Sequence, residues 1–292
     1  MRRVFEEKDG TTRLSAAGHG GAIEMIDLHT HILSGLDDGP RTLDESIEMC
    51  WMSYRDGVRT IVATPHTLNG LYINDRATIL TKVEEFNDAL MKFGIRNSKL
   101  EIENPESKKV IPQSAIPLRV LPGADVRFCE EILLRLDQGK VTTVGDGGRF
   151  LSIEFPFQGI PYRAEDILFR LMTRGIIPII SHPERNLEIL DRPKRYYEMI
   201  RMGCLGQVTA MSLTGGFGHG ARRGVEKLVK KRLVHFIASD AHSIDGRPPI
   251  LSEGLRAAEK IVGKEEARKM VSDYPRAILE GRRPDVPEPI PL

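Results

Sequence analysis

In the stretch "IDLHTHILSGLDDG", His29 and His31 stand one residue apart, directly after an apolar run that ends at Leu28. Alternate side chains on an extended chain share a face, so both imidazoles point the same way, with Asp37 and Asp38 close behind. A buried strand has no use for such a pair, whereas a metal ion does. The pattern recurs along the chain. Apolar runs end in His66 ("ATPH"), Asp125 ("PGAD"), Glu154 ("SIEFP"), His182 ("ISHPER") and the pair Asp240 and His242 ("ASDAH"). With His29, His31 and Asp38 these are nine candidate ligands, among them five of the chain's eight histidines. Nitrogen and oxygen donors without a thiolate suit manganese, iron or zinc in a multinuclear site. Nine donors are too many for one ion and about right for two or three. Arg185, three residues after His182, and Arg247, five after His242, supply the paired guanidiniums that a phosphate dianion needs.

Each of these residues taken singly has a plainer reading. A strand-end histidine is often a hydrogen-bonded structural residue, Asp37 and Asp38 before a glycine can form a turn, and Asp240 can cap a helix. Glu154 can pair with an interior arginine, and Arg185 and Arg247 can be surface charges. The clustering argues otherwise, because chance would scatter such residues over both ends of the strands.

Seven apolar runs must position them: "MIDLH", "RTIVATPH", "LRVLPGADVRF", "RFLSIEFP", "GIIPIISH", "CLGQVTA" and "LVHFIASDAH". Most recur at the length of one βα unit. They are continuous rather than alternating, the mark of parallel strands buried on both faces. Amphipathic helices fill the gaps. "TLDESIEMCWMSYRDG" opens with Thr42 and Glu45 in capping-box spacing and closes at Gly57. "RATILTKVEEFNDALMKFG" is followed by a polar surface excursion, "NSKLEIENPESKKVIPQSAIP". A closed or nearly closed TIM-type barrel and an open doubly wound sheet both fit, and both place chemistry at the C-terminal strand ends. The 292 residues at net charge +1 give no basic field for nucleic acid or a membrane surface. No apolar run reaches membrane-spanning length. Three widely spaced cysteines, Cys50, Cys129 and Cys204, are cytosolic usage. The expected organisation is a disordered leader over residues 1–24, one domain over 25–280 and a Pro-rich tail over 281–292.

The motifs "MIDLHTHILSGLDDG", "GVRTIVATPH", "SIEFP", "SHPER" and "VHFIASDAHSIDGRPP" resemble those of the PHP (polymerase and histidinol phosphatase) superfamily. Within it they are similar to the CpsB/CapC-type manganese-dependent protein-tyrosine phosphatases that regulate bacterial capsule and exopolysaccharide synthesis. The resemblance implies an α/β fold, a distorted (β/α)7 TIM-like barrel, with three divalent metals at its C-terminal rim. Manganese is foremost, with iron, zinc or cobalt as alternatives. It implies one metal on His29, His31 and Asp240, a second on Glu154 and His182, and a third on Asp38, His66 and His242. The first two would be bridged through the position of Asp125, where the family carries the longer glutamate. The implied substrate is a phosphotyrosine-containing protein, the tail of a membrane tyrosine kinase of the polysaccharide export system. The protein itself is expected in the cytoplasm, without membrane insertion or nucleic-acid binding.

Rival readings remain. Another phosphoesterase of the superfamily would act on a small-molecule or nucleic-acid phosphate. An amidohydrolase also begins with His-x-His but normally adds a bridging lysine and lacks the Asp38–His66–His242 set. A non-catalytic regulator would bind phosphotyrosine without cleaving it. "CEEILLR" gives Cys129 and Arg135 the Cys-x5-Arg spacing of thiol phosphatases, but its interior is acidic and lacks the glycines that cradle a phosphate. His19, His219 and His235 read as surface or structural residues. "TGGFGHG" reads as a flexible rim loop, since it matches neither a P-loop nor a dinucleotide fingerprint.

Overall fold

The computed structural model describes residues 23–103 and 118–292, so the expected leader, but for its last two residues, lies outside the described part. The chain opens with strand β1 (Met25–Thr30), helix α1 (Leu43–Arg55), and strands β2 (Val58–Ala63) and β3 (His66–Thr67). Next come α2 (Arg76–Glu103), β4 (Arg119–Pro122), β5 (Asp125–Arg127) and the short α3 (Ile132–Asp137). β6 (Phe150–Glu154), α4 (Ala164–Thr173) and β7 (Ile177–Ser181) follow. A 3-10 turn over Pro183–Arg185 then leads to α5 (Leu187–Asp191), α6 (Lys194–Met202) and β8 (Leu205–Thr209). The last part comprises α7 (Ala210–Thr214), α8 (Gly218–Lys230), β9 (Phe236–Ala238), α9 (Ser252–Val262), α10 (Lys264–Val271) and α11 (Asp273–Leu279).

All strand pairings between these elements are parallel, as the continuous apolar runs predict. They fall into a sheet of order β1-β2-β4 and a second of order β3-β5-β6-β7-β8-β9. β6 and β8 are buried at every position, and Ile153, Val208 and Phe236 belong to the hydrophobic core. Two predicted strands are each broken in two. "RTIVATPH" gives β2 and β3 around Thr64–Pro65, and "LRVLPGADVRF" gives β4 and β5 around Gly123–Ala124. Pro65 has no N–H to donate to a ladder. Its carbonyl instead accepts from Asp125 N at 3.2 Å, which joins the two breaks. Each break carries its strand from the first sheet to the second, and the segments beyond it begin with His66 and Asp125.

The outer strands β1 and β9 meet through backbone bonds. Asp240 N donates to His29 O at 2.8 Å and His31 N to Ala241 O at 2.9 Å. The buried Asp27 carboxylate accepts from Ser239 N at 3.0 Å, and α10 packs over both strands. α1 has the predicted capping box, with Glu45 N on Thr42 Oγ1 at 3.2 Å and Thr42 N on Glu45 Oε2 at 3.3 Å. α2 continues past Gly94 to Glu103, so the polar excursion begins later than its composition suggested, and its remainder lies outside the described residues. The Pro-rich tail is laid against the body, with Ile290 N bonded to Lys231 O at 2.9 Å and Val286 packed against the core. Among the described residues, no helix is long and apolar enough to cross a membrane.

Gly123 sits where the β4–β5 break crosses β2. A Cβ there would stand 2.5 Å from Val62 Cγ1 and 3.2 Å from Ala63 O. Val62 is stiff at χ1, so the strain has nowhere to relax. Gly123→Ala is expected to cost about 1–3 kcal/mol of stability, as overpacking does, read as a lower urea midpoint. An unchanged midpoint would show that the two segments can separate freely.

Candidate metal centre

The nine predicted residues converge on one pit at the C-terminal strand ends. Asp125, at the head of β5 and fully buried, is its centre. Its Oδ2 lies 3.3 Å from His66 Nδ1, 3.9 Å from His29 Nε2 and 4.0 Å from His182 Nε2. Its Oδ1 accepts from Ser181 Oγ at 2.9 Å, and Ser181 in turn meets Ser152 Oγ at 2.9 Å. Glu154 faces His182 at 3.8 Å and His66 at 3.9 Å. On the other side His31 packs against His242 with ring centroids 3.8 Å apart, and Asp38 reaches His242 at 3.4 Å and His66 at 3.6 Å.

Asp240 lies just past β9 with φ 53°, and His182 just past β7 with φ 34°. These are left-handed backbones at two predicted ligand positions, where non-glycine strain often marks function. The left-handed turn at Asp240 places Oδ1 3.5 Å from both His29 Nε2 and His31 Nε2. Its Oδ2 forms ion pairs of 2.5 Å with the Nη2 atoms of Arg185 and Arg247.

Three sets of donor atoms each lie within 4.8 Å of one another: His31, Asp38, His66 and His242; His29, His31 and Asp125; and His66, Asp125 and Glu154. Asp125 belongs to two of them, despite being shorter than glutamate. His31 joins the set expected for the third metal as well as the first. Asp125 Oδ2, His66 Nδ1 and His242 Nε2 are buried without a hydrogen-bond partner. Buried polar atoms left unpaired are costly, and each of these residues belongs to at least one of the three donor sets, so the donor set fits divalent cations of borderline hardness.

The electrostatics agree for most of the set. Burial raises the Asp125 carboxyl, but His29, His66 and His182 around it outweigh that and hold it below the usual range. Burial likewise works against ionised Asp240, and Arg185, His29 and Arg247 hold it well below its ordinary value. Burial lowers His29 and His182 and takes His242 down to about 4. Neutral imidazoles beside ionised carboxylates are the forms that bind metal. Three ligands run the other way. Burial lowers His31, but Asp37 and Asp240 bring it up to about 10. Burial lowers His66, but Asp125 brings it up, and burial and Asp125 raise Glu154.

Several orienting residues escaped the sequence reading. Asp37 Oδ2 accepts from His31 Nδ1 at 2.6 Å and from His66 N at 2.9 Å, so it is more than a turn residue. Gln207, in the strand that offered no ligand, holds His29 Nδ1 at 2.8 Å; a glutamine inside a buried apolar run was the available signal. Arg127 pairs with Glu154 at 3.1 Å. Glu184 of "SHPER", fully buried, accepts from Thr209 N at 2.9 Å and Ser212 Oγ at 2.7 Å and so pins the turn that carries Arg185.

The residues set aside stay outside the pit. Burial raises the Cys129 thiol, and Arg135 pairs with Glu131 at 2.9 Å. His235 is buried and accepts from Gly206 N at 3.0 Å, while His219 is exposed on α8 and His19 lies outside the described residues. Of "TGGFGHG", Thr214 ends α7, Gly215–Phe217 is loop and Gly218–Gly220 opens α8.

Fold and pit together define a parallel α/β protein with a clustered, metal-competent donor set at its strand ends. The chain matches the family described as "Capsular polysaccharide synthesis, CpsB/CapC" over residues 25–104 and 91–280, and it belongs to that family. It is 37% identical over 241 residues to the tyrosine-protein phosphatase YwqE of Bacillus subtilis, covering 82% of this chain and 86% of that one. It is 37% identical over 229 residues to the putative tyrosine-protein phosphatase CapC of Staphylococcus aureus, covering 78% and 81%. A solved chain from work on YwqE of B. subtilis and CpsB of Streptococcus pneumoniae, described as unique metal-dependent tyrosine phosphatases, superposes with a TM-score of 0.79 at 34% identity. That match covers 92% of this chain and 99% of the solved one. The phosphotriesterase homology protein of Escherichia coli, at 12% identity and a TM-score of 0.50, shares the fold.

If Asp37 orients His31, Asp37→Ala should weaken metal affinity by about 10–100-fold, the usual loss when such an orienting partner is removed. Competition against a chromophoric chelator reads this directly. Affinity equal to the parent protein would reduce Asp37 to a turn residue.

Proposed function

We propose that this chain is a metal-dependent protein-tyrosine phosphatase. It would act on a phosphotyrosine protein, the tail of a membrane tyrosine kinase of polysaccharide export, from the cytoplasmic side. The observation that carries the reading is the placement of two guanidiniums directly against the donor pit. Arg185 Nε and Arg247 Nε are buried there without a hydrogen-bond partner. An anion with several oxygens satisfies such donors, and a phosphoryl group brings that anion within reach of the metal ligands.

The ligand assignment is His29, His31, Asp38, His66, Asp125, Glu154, His182, Asp240 and His242 around three divalent metals, manganese foremost, with Asp125 as the shared carboxylate. Its membership of two donor sets supports that role. We take the two sheets as parts of one distorted seven-stranded barrel over residues 25–280. In support, β2–β3 and β4–β5 each run as one interrupted strand, and β9 reaches β1 through Asp240 and Ala241.

Metals bound in the pit supply Lewis-acid charge against the phosphoryl oxygens and bring the pKa of water towards neutrality. The chain does the rest. Arg185 and Arg247 bind the dianion and stay in place as charge builds on its equatorial oxygens. Asp240 holds both guanidiniums from beneath. The leaving tyrosinate, with a conjugate-acid pKa of about 10, departs without a dedicated protein acid. Cys129 is not among the pit residues, and burial raises its thiol.

A panel of phosphotyrosine, phosphoserine and phosphothreonine peptides with added Mn²⁺ tests the proposal. Turnover of the phosphotyrosine peptide should dominate, vanish in EDTA and return with Mn²⁺, while Cys129→Ser keeps kcat within a few-fold. Preference for a small-molecule phosphate would move the protein to another substrate class, and binding without turnover would make it a regulator.

Arg185→Lys and Arg247→Lys retain charge but lose the planar fork. Each should lower kcat/KM on the order of 10²-fold, as for one lost oxyanion donor. Wild-type kinetics in both would leave them as surface charges. Asp125→Ala should abolish saturable Mn²⁺ activation, whereas Asp125→Glu should saturate at lower Mn²⁺ than the parent. An Asp125→Ala titration that overlays the parent's would remove Asp125 from the ligand set.

A further inference from the structure

Three residues join α7 to α8, and the third is Phe217. Its neighbours Gly215 and Gly218 have φ of 93° and 88°, a left-handed path that glycine takes without strain. This tight turn brings a half-buried aromatic ring to the rim. The Arg185 guanidinium carbon lies over that ring at 5.2 Å from its centroid, and the Arg247 carbon at 5.7 Å. Both distances are within the range of about 6 Å over which a cation is drawn to an aromatic face.

One ring therefore serves both arginines, and the arrangement answers an electrostatic problem. Two guanidiniums converge on a single oxygen, Asp240 Oδ2, at 2.5 Å each. They repel one another, and one carboxylate oxygen is a narrow hinge about which each can swing. Arg185 has a second ring, Phe157, at 5.8 Å. Among the described residues, Arg247 has Phe217 alone as an aromatic partner. A ring offers a negative face without competing for N–H donors, so the donors stay free for an anion.

We propose that Phe217 is a positioning residue: its ring fixes Arg185 and Arg247 as a preformed seat for a phosphate dianion. The inference rests on the proposed role of those arginines and says what holds them there. It also gives "TGGFGHG" a task.

The test uses the full-length, Mn²⁺-loaded protein with inorganic phosphate as the probe, measured by calorimetry, which needs no turnover. Phe217→Leu keeps apolar bulk but removes the ring, and Phe217→Tyr keeps the ring. Phe217→Leu should raise the Kd for phosphate roughly tenfold, about 1.4 kcal/mol, and kcat/KM for a phosphotyrosine peptide should fall in step. Phe217→Tyr should stay within about twofold of the parent, with equal metal content in all three. Should Phe217→Leu melt early, Phe217→Met carries the same comparison. An unchanged phosphate Kd in the ring-less variants overturns the proposal. So does a higher peptide KM at unchanged phosphate Kd, which would mean that the ring meets the substrate's aryl group instead. A parent protein that binds phosphate but leaves the peptide intact would refute the phosphatase reading while the Kd comparison still decides this one. A parent that binds no phosphate removes the seat altogether.

Discussion

The carboxylate of Asp240 is where the fold and the site are tied together. Its backbone N–H bonds to His29 O and so joins β9 to β1, while its left-handed φ of 53° turns the side chain into the pit. There one oxygen faces His29 and His31 and the other holds Arg185 and Arg247. Removing this carboxylate would leave two half-buried arginines without a counter-charge, and breaking a desolvated pair from one side is destabilising. The same residue thus sets where the strands meet, where the imidazoles point and where an anion can sit. A strained backbone is tolerated here because the surroundings over-determine it.

Around Asp240 the molecule buries an unusual amount of polar chemistry. Five imidazoles and several carboxylates share one end of a core that is otherwise Ile, Val, Leu and Phe. Burying charge costs stability unless each group is paired, and here the pairing is incomplete: Asp125 Oδ2, His66 Nδ1 and His242 Nε2 lack partners. Two buried carboxylates elsewhere are each paired through one oxygen only. Asp27, which burial pushes up to about 7, bonds the Ser239 and His29 N–H groups, and Glu184 bonds Thr209 and Ser212. The contrast separates two uses of buried acid. Asp27 and Glu184 each fasten backbone or side-chain donors with one oxygen and leave the other unpaired, whereas the unpaired oxygen of Asp125 faces His29, His66 and His182.

Much of this could be read from the sequence, for a physical reason. Parallel strands covered on both faces are written as continuous apolar runs, so the first polar residue after each run marks its C-terminal end. That rule brought His29, His66, Asp125, Glu154, His182 and Asp240 to one rim without knowledge of any contact. It failed where the information is not local. Pro65 and Gly123 were visible as residues, but that their breaks pass two strands between sheets depends on how β2 and β4 lie together. Asp37, Gln207 and Arg127 orient a neighbour across space, and no spacing rule connects Gln207 with His29, 178 positions away. The Gly-rich segment misled because glycine marks flexibility by composition, yet here it shapes a tight turn and opens α8.

The division of labour between strands and loops follows from the same physics. Apart from Asp38, which lies in the loop between β1 and α1, the imidazoles and carboxylates that must keep mutual distances of 3–4 Å stand on or just past strands, whose ladders fix them. The arginines lie on loops, yet those loops are fastened too. Glu184 anchors the turn of Arg185 from inside the core. Arg247 N bonds to Ser243 Oγ at 3.0 Å, and its carbonyl accepts from His242 N at 2.9 Å. A preformed site stabilises developing charge because its dipoles need no reorganisation during the reaction. In this chain the preorganisation extends outward from the ligand carboxylate to the loop that carries each guanidinium. Phe157 lies against Arg185 and, like Leu71 and Ile73, is exposed, so the fastened part of the site gives way to apolar side chains open to solvent.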